Sequence, residues 1–280
     1  MTITVLDNME YGNDAAAQAA YVTSALAYIP GANDETVEFY NRVTADGGTI
    51  ISLDDIDDAI SDAKTNGYYS NLKAWYSAQF ACKKTGNAIT KLYDISGNDY
   101  DITAVSGSPT WTDESQNGRA AIIFNGSSDY MATPNMSLSQ PTHLIAIFNQ
   151  ITYTENDYLF DGLSFPTCIF GQDATGGVNN LYMYAGSHGC DSKDIGLNAY
   201  GIASLLFYGA NSTLQINNST VRTGSIGAAS AGGITIGAGA GNAYSRAANM
   251  GLCDLIIFAT DQTSKYPDIR SFLNSKYSCY

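Results

Sequence analysis

Few residues in this chain have types and spacings that could do chemistry. His188 and Cys190 form an H-x-C pair with Cys168 upstream, and these are zinc-ligand types. Tetrahedral zinc wants four ligands, and these are three at irregular spacing, so a loop histidine beside a buried thiol is the expected arrangement. Asp94-x-Ser96-x-Asn98 mimics the start of a calcium loop, but Asp99 stands where that loop needs its glycine and Val105 where it needs its glutamate. A turn whose side chains bond their own backbone is expected there instead. Glycoside hydrolysis needs two carboxylates across a cleft. No closely spaced strand motif such as E-x-D-x-x-E occurs; Asp94, Asp99 and Asp101 share a turn region, and Glu114, Asp129 and Glu155 are isolated. Neither G-x-S-x-G nor a phosphate-binding P-loop is present. His143, at the start of an apolar run, reads as a strand-end or partly buried residue. Tyr68-Tyr69, Trp75-Tyr76 and Tyr182 to Tyr184 offer aromatic faces of the kind that stack on pyranose rings. Tyr182 and Tyr184 share one side of a strand by alternation; they are the candidate glycan contacts, although core packing is the commoner fate of such a pair. No catalytic, cofactor-binding or metal-ligating residue is assigned, and the chain is not expected to be an enzyme.

The elements that would hold these residues change character near Leu72. Before it, three helical stretches are expected: an Ala-rich run capped at Asn13 or Asp14 and stopped by Pro30-Gly31, a stripe of Val37, Tyr40 and Val43 after Asn33 or Asp34, and a third with Leu53, Ile56 and Ile60 on one face. Ser52-x-x-Asp55 resembles a capping box, and Asp54, Asp55, Asp57, Asp58 and Asp62 read as a solvated face with early-turn acids on the helix dipole. After Leu72 come short β-like runs at 72–76, 89–93, 120–124, 142–148, 181–184, 204–208, 214–217, 234–236 and 253–258, separated by Gly, Asn, Asp and Ser clusters. So many strands without intervening helices predict an antiparallel sandwich. A last helix carries Ile269, Phe272, Leu273 and Tyr277, with Ser264 as its cap and Pro267 in its first turn. The division expected is a helical N-terminal attachment segment over 1–70 and a sandwich domain over 71–280. Trp75, Leu92, Ile122, Phe124, Ile145, Ile147, Ile256 and Phe258 are predicted to line the sandwich interior.

Composition bounds the function. Of 280 residues, 27 are Gly, 20 are Tyr and only 14% are charged, the balance of a turn-rich β protein. A formal charge of −14 repels phosphate backbones and anionic membrane surfaces, so no nucleic-acid partner is expected. No run reaches the roughly 18 apolar residues of a membrane span, so no insertion is expected. The first seven residues lack a basic and an apolar signal region, so a secretion signal is not expected. Five widely spaced cysteines, Cys82, Cys168, Cys190, Cys253 and Cys279, read as free thiols. The sequons at Asn125, Asn135, Asn211, Asn217 and Asn218 read as turn residues.

Four segments in order resemble the concanavalin A-like jelly rolls of the laminin G type. Leu72-Lys73-Ala74-Trp75-Tyr76 resembles the family's Trp-bearing opening strand, and Lys91-Leu92-Tyr93-Asp94-Ile95-Ser96-Gly97-Asn98 its W/Y-x-D-x-S-G-N turn. The stretch from Asn117-Gly118 through Phe124-Asn125-Gly126 to Asp129-Tyr130-Met131 resembles its NG…F-x-G-x-x-D-Y-L block. Cys253 to Phe258 and the helix ending at Lys276-Tyr277 resemble its closing strand and short helix, with Leu252 to Asp254 replacing the usual I-A-E. The resemblance implies a mainly β, antiparallel jelly-roll β-sandwich with a helical N-terminal segment and a C-terminal helix. It also leaves open a calcium ion at the sandwich rim. The opening, Leu6-Asp7-Asn8-Met9-Glu10-Tyr11 with Ala17 to Val22, looks like the start of tailed-bacteriophage structural proteins that carry this jelly roll. What that implies is a virion structural protein exposed on the particle, as capsid decoration, fibre or tail component, assembled in the host cytoplasm. Its partners would be other virion proteins, further copies of itself and a host-surface glycan. The alternative is a carbohydrate-binding module or a glycan-active enzyme on the same fold.

Overall fold

The computed structural model describes residues 31–164, 167–173, 179–193, 195–240 and 246–280. The Ala-rich run expected from residue 13 and the phage-like opening lie outside the described residues. Among those described, the chain is an antiparallel jelly-roll β-sandwich of the concanavalin A-like kind with helices before and after it. Helices α1 (Asp34–Ala45) and α2 (Leu53–Thr65) flank strand β1 (Thr49–Ile50). Then follow β2 (Leu72–Ser77), β3 (Ala81–Thr85), β4 (Ala88–Leu92), β5 (Ala104–Ser106), β6 (Thr110–Gln116), β7 (Arg119–Asn125), β8 (Tyr130–Ala132) and β9 (Thr142–Gln150). The second half holds β10 (Tyr158–Gly162), β11 (Ile169–Asp173), β12 (Asn180–Tyr184), β13 (His188–Lys193), β14 (Tyr200–Phe207), β15 (Ser212–Ile216), β16 (Arg222–Gly224), β17 (Ile234–Ile236) and β18 (Asn249–Phe258), closed by α3 (Tyr266–Tyr277).

The larger sheet runs β1-β3-β4-β6-β7-β18-β9-β14-β15-β16, and β2 pairs with the second half of β18. The smaller runs β13-β12-β11-β10-β17-β8-β5. Between them lies one apolar core that includes Leu92, Ile122, Phe124, Leu144, Phe148, Phe170 and Met183. Phe148 meets Phe170 edge-on across it, with ring centroids 5.5 Å apart. A second core sits on the opposite face of the larger sheet, where Phe39, Val43, Ile56 and Ile60 from α1 and α2, and Ile269 and Leu273 from α3, cover it. The molecule therefore has three layers.

That third layer corrects the predicted interior. Leu92, Ile122 and Phe124 do lie between the sheets, but Trp75, Ile145, Ile147, Ile256 and Phe258 point the other way, into the helical layer. Strands β9 and β18 are buried on both faces, so alternation of apolar and polar residues, the signal that distinguishes inside from outside, is missing from them. The 70/71 boundary is crossed by this packing and by β1, whose Thr49 and Ile50 pair with Cys82 and Ala81.

Helix starts follow the local code only in part. Ser52 caps α2 by accepting from the Asp55 amide at 3.2 Å, as expected. Asn33 precedes α1 without a side-chain cap; its amide nitrogen instead donates to Asp57 (2.9 Å) and Ser61 (2.8 Å) and ties the two helices together. The acidic face of α2 is partly spent on contacts, while Asp54 and Asp58 stay exposed as expected. Asp55 pairs with Arg119 (2.6 Å) and Lys276 (3.3 Å), Asp57 accepts from Thr36 and Asn33, and Asp62 accepts from the Tyr68 hydroxyl.

Candidate functional site

The acids that looked like metal or catalytic candidates are mostly staples of loops. Asp94 is fully buried and accepts from the amides of Trp75 (2.9 Å), Ser96 (2.9 Å) and Tyr100 (3.1 Å) and from the Ser96 hydroxyl (2.7 Å). Burial pushes its carboxyl above the ordinary range, while those donors pull the other way. Its oxygens are occupied by the chain itself, so the turn reading holds. Asp99 and Asp101 pair with Arg42 at 3.0 and 2.6 Å and fasten α1 to the same turn. Asp129 accepts from the amides of Ser108 (2.8 Å) and Asn125 (3.1 Å). Among the described residues no group of three or more His, Cys, Asp or Glu is arranged to hold a metal ion.

His143 stands at the start of β9, as expected, but is wholly rather than partly buried. Its Nδ1 accepts from the Gln262 amide at 3.1 Å, and its Nε2 lies 2.8 Å from the Ser204 hydroxyl. An Nδ1 that accepts leaves the ring proton on Nε2, which must then donate to Ser204. The pair is thus the wrong tautomer for activating a serine. Burial lowers the imidazole pKa to about 4, which keeps it neutral and structural.

The H-x-C pair is separated by the backbone. In a regular strand His188 and Cys190 would share a face, but β13 carries an extra residue opposite β12, and Cys190 sits at φ 56, in the left-handed region. The thiol turns toward the larger sheet, where it donates to the carbonyls of Ser212 (3.3 Å) and Gly224 (3.7 Å). Cys168 donates to the Ala229 carbonyl, and burial pushes the two thiols up to about 12 (Cys168) and about 11 (Cys190).

The same bulge builds a different group. It brings Asp191 round to the outward face beside His188, and Asp173, at the end of β11, completes it. His188 Nε2 lies 3.4 Å from a carboxylate oxygen of each. Two such legs from one nitrogen place the two oxygens no more than about 7 Å apart. His188 also lies against Tyr182, ring centroids 4.7 Å apart and 33° between planes, and pairs across the strands with Tyr184. Tyr182 in turn crosses β11 at Gly171, where a Cβ would fall 2.9 Å from the tyrosine ring. Both tyrosines named from the sequence therefore lie on the outward face of the smaller sheet rather than in the main core. Tyr182 is only 7% exposed, inside a small cluster with Tyr158 and Ile169, while Tyr184 is half-buried at its edge. Asp173 and Asp191 were not legible as a pair, because they stand on different strands and meet only through the bulge. A separate polar groove of about 300 Å³ lies between α2 and α3, lined by Asp62, Asn66, Asp268, Ser271, Phe272 and Ser275. Its aromatic ring is taken, since Phe272 meets Trp75 edge-on and Lys276 lies over it.

No protein-family model and no curated protein sequence matches the chain. Solved structures do. A Trypanosoma rangeli sialidase in complex with 2,3-difluorosialic acid superposes with a TM-score of 0.52 at 11% identity, over 80% of this chain and 39% of that one. A GH54 α-L-arabinofuranosidase mutant soaked with 4-nitrophenyl α-L-arabinofuranoside gives 0.52 at 11% identity, over 68% and 51%. Domain 4 of AbnA, a GH43 extracellular arabinanase from Geobacillus stearothermophilus, in complex with arabinotriose, gives 0.49 at 16% identity, over 67% and 92%. The chain thus spans about two fifths of the sialidase and half of the arabinofuranosidase. The sialidase and arabinofuranosidase likenesses support the fold, and they correct the expectation that the chain is not an enzyme: chains of glycan-active enzymes carry this fold, so neither the fold nor a missing single-strand acid motif excludes one.

Proposed function

We propose that this chain engages glycans through the outward face of the smaller sheet at β11 to β13. The observation that carries the reading is the convergence of His188, Asp173 and Asp191 beside Tyr182 and Tyr184 on a fold shared with glycan-active chains. The centre of the larger sheet's outward face is occupied by helices, which leaves the smaller sheet as the face with side chains to offer. The Tyr184 ring supplies an apolar surface for a sugar face, and the two carboxylates and the imidazole supply the acceptors and donor that sugar hydroxyls need. The test is a glycan array with the full chain, followed by analysis of bound oligosaccharides for hydrolysis products. Binding that is lost in Tyr184→Ala supports the reading; products that vanish in Asp173→Asn or Asp191→Asn extend it to catalysis, and a flat array even for the multimerised chain overturns it.

A second reading concerns where such a surface is displayed. The laminin G-like body and the opening residues motivate a place on the outside of a tailed-bacteriophage virion, with other virion proteins and further copies of the chain as partners. Many copies would turn weak sugar contacts into avidity. Mass spectrometry of purified particles tests it, and less than one copy per particle argues against it.

A further inference from the structure

We propose that Tyr182 is a positioning residue rather than a sugar contact: its ring is the platform that orients the His188 imidazole, and Gly171 is the floor on which that ring lies. The proposal rests on the glycan reading above and adds how the imidazole of that face is held in place. Alternation puts Tyr182 and Tyr184 on one side of β12, so along the sequence the two look alike. Their surroundings separate them. Tyr184 is half-buried at the edge of the cluster, with ring surface to offer, whereas Tyr182 is only 7% exposed. Directly across the strands Tyr182 lies over Gly171, where a Cβ would fall 2.9 Å from a ring carbon and 3.2 Å from both the Asp157 carbonyl and the Ile169 side chain. Its hydroxyl shares a hydrogen bond with that of Tyr158. Its third neighbour is the His188 ring, 4.7 Å between centroids and 33° between planes.

A phenol enclosed in this way has little surface left for a sugar. His188 is in the reverse position, with 45% of its side chain accessible. An imidazole that faces solvent samples several rotamers unless a neighbour selects one. Tyr182 is that neighbour, since aromatic rings at this spacing attract one another and the phenol is itself fixed at its hydroxyl and beneath its ring. Glycine is required at 171 for the same reason. A methyl group there would lift the tyrosine ring from the strand and tilt the imidazole with it.

Proton NMR of the full chain reads the stack without any ligand. The chain has two histidines, and His188→Gln identifies the His188 signals. In the parent, the His188 ring protons are expected upfield of their free-imidazole positions because they lie against the phenol. Tyr182→Phe is expected to keep that displacement, and Tyr182→Leu and Gly171→Ala to reduce or abolish it. Gly171→Ala keeps every aromatic ring, so it decides the matter if Tyr182→Leu does not fold. Affinity for the tightest oligosaccharide on the array should follow the same order: Tyr182→Phe within about twofold of the parent and the other two weaker by about three- to tenfold, the range that one aromatic pair contributes. His188 signals at free-imidazole positions in the parent overturn the proposal. Binding lost in Tyr182→Phe while the His188 signals stay put also overturns it, by making the tyrosine hydroxyl a direct sugar contact, and leaves glycan engagement standing. If the parent binds no oligosaccharide, the underlying reading fails and the positioning role falls with it.

Discussion

His143 shows how a single buried side chain sets a pH dependence. It donates to Ser204 through Nε2, and its Nδ1 accepts from the Gln262 amide only while the ring is neutral. Its pKa is about 4 when folded against an ordinary 6.5. A group depressed in this way gives its full contribution above pH 6.5 and loses it as pH falls through 4. The shift is worth about 3 kcal/mol. Asp254 works in the opposite direction. It is buried in β18, accepting from the Trp75 indole (2.8 Å) and Ser77 (3.1 Å), and burial raises it to about 6. A carboxyl with a raised pKa favours the folded state at low pH, and that contribution is lost as pH rises through 6. The two cancel in part in the native chain. His143→Gln keeps an acceptor and a donor but cannot titrate, so its stability is expected to hold steady or rise between pH 6.5 and 4, where the parent loses the histidine contribution. Urea unfolding at pH 7, 5.5 and 4 reads the difference, and an identical pH profile for the two proteins contradicts the account.

At the scale of elements, the bulge in β13 decides which side chains meet. It depends on a close approach, since a Cβ at Gly224 would lie 3.1 Å from the Cys190 amide and 3.3 Å from its sulfur. Gly224→Val therefore pushes β13 off β16, at a cost of about 1–3 kcal/mol for overpacking. Thermal melting is expected to show a Tm lower by roughly 2–10 °C for a chain of this size. Loss of glycan binding should accompany it, because the bulge carries Asp191 to His188; an unchanged Tm means that the contact with Gly224 does not hold the bulge. The helices show the same dependence on neighbours. The Ser52 cap could be read from four consecutive residues, but the partners of Asp55, Asp57 and Asn33 lie 20 or more residues away and leave no local trace.

For the whole molecule, the third layer matters most. Phe39, Val43, Ile56 and Ile60 cover a sheet face carrying Trp75, Ile145, Ile256 and Phe258, each buried to the last few per cent. Removing that cover exposes a contiguous apolar patch of a kind monomers rarely show. The fragment 71–280 is expected to be aggregated or to lose its cooperative transition, and size-exclusion chromatography with denaturant melts decides; a soluble fragment with a sharp transition shows that the sandwich stands without residues 1–70. The sequence by itself determined the β-rich antiparallel class, the turn at Asp94 to Asn98, the Ser52 cap, the terminal helix and most of the long strands, because each is written in residues that are neighbours along the chain. Short strands such as β5, β8 and β16, three residues each, lay below the length at which a period can be seen. Tertiary structure alone decided which face of β9 and β18 looks into the sandwich, since strands apolar on both sides carry no alternation. It also decided that His188 meets Asp173 and Asp191 and parts from Cys190. That outcome rests on one left-handed residue and on a glycine 34 positions further along, where packing between two sheets overrides the local preference of the chain.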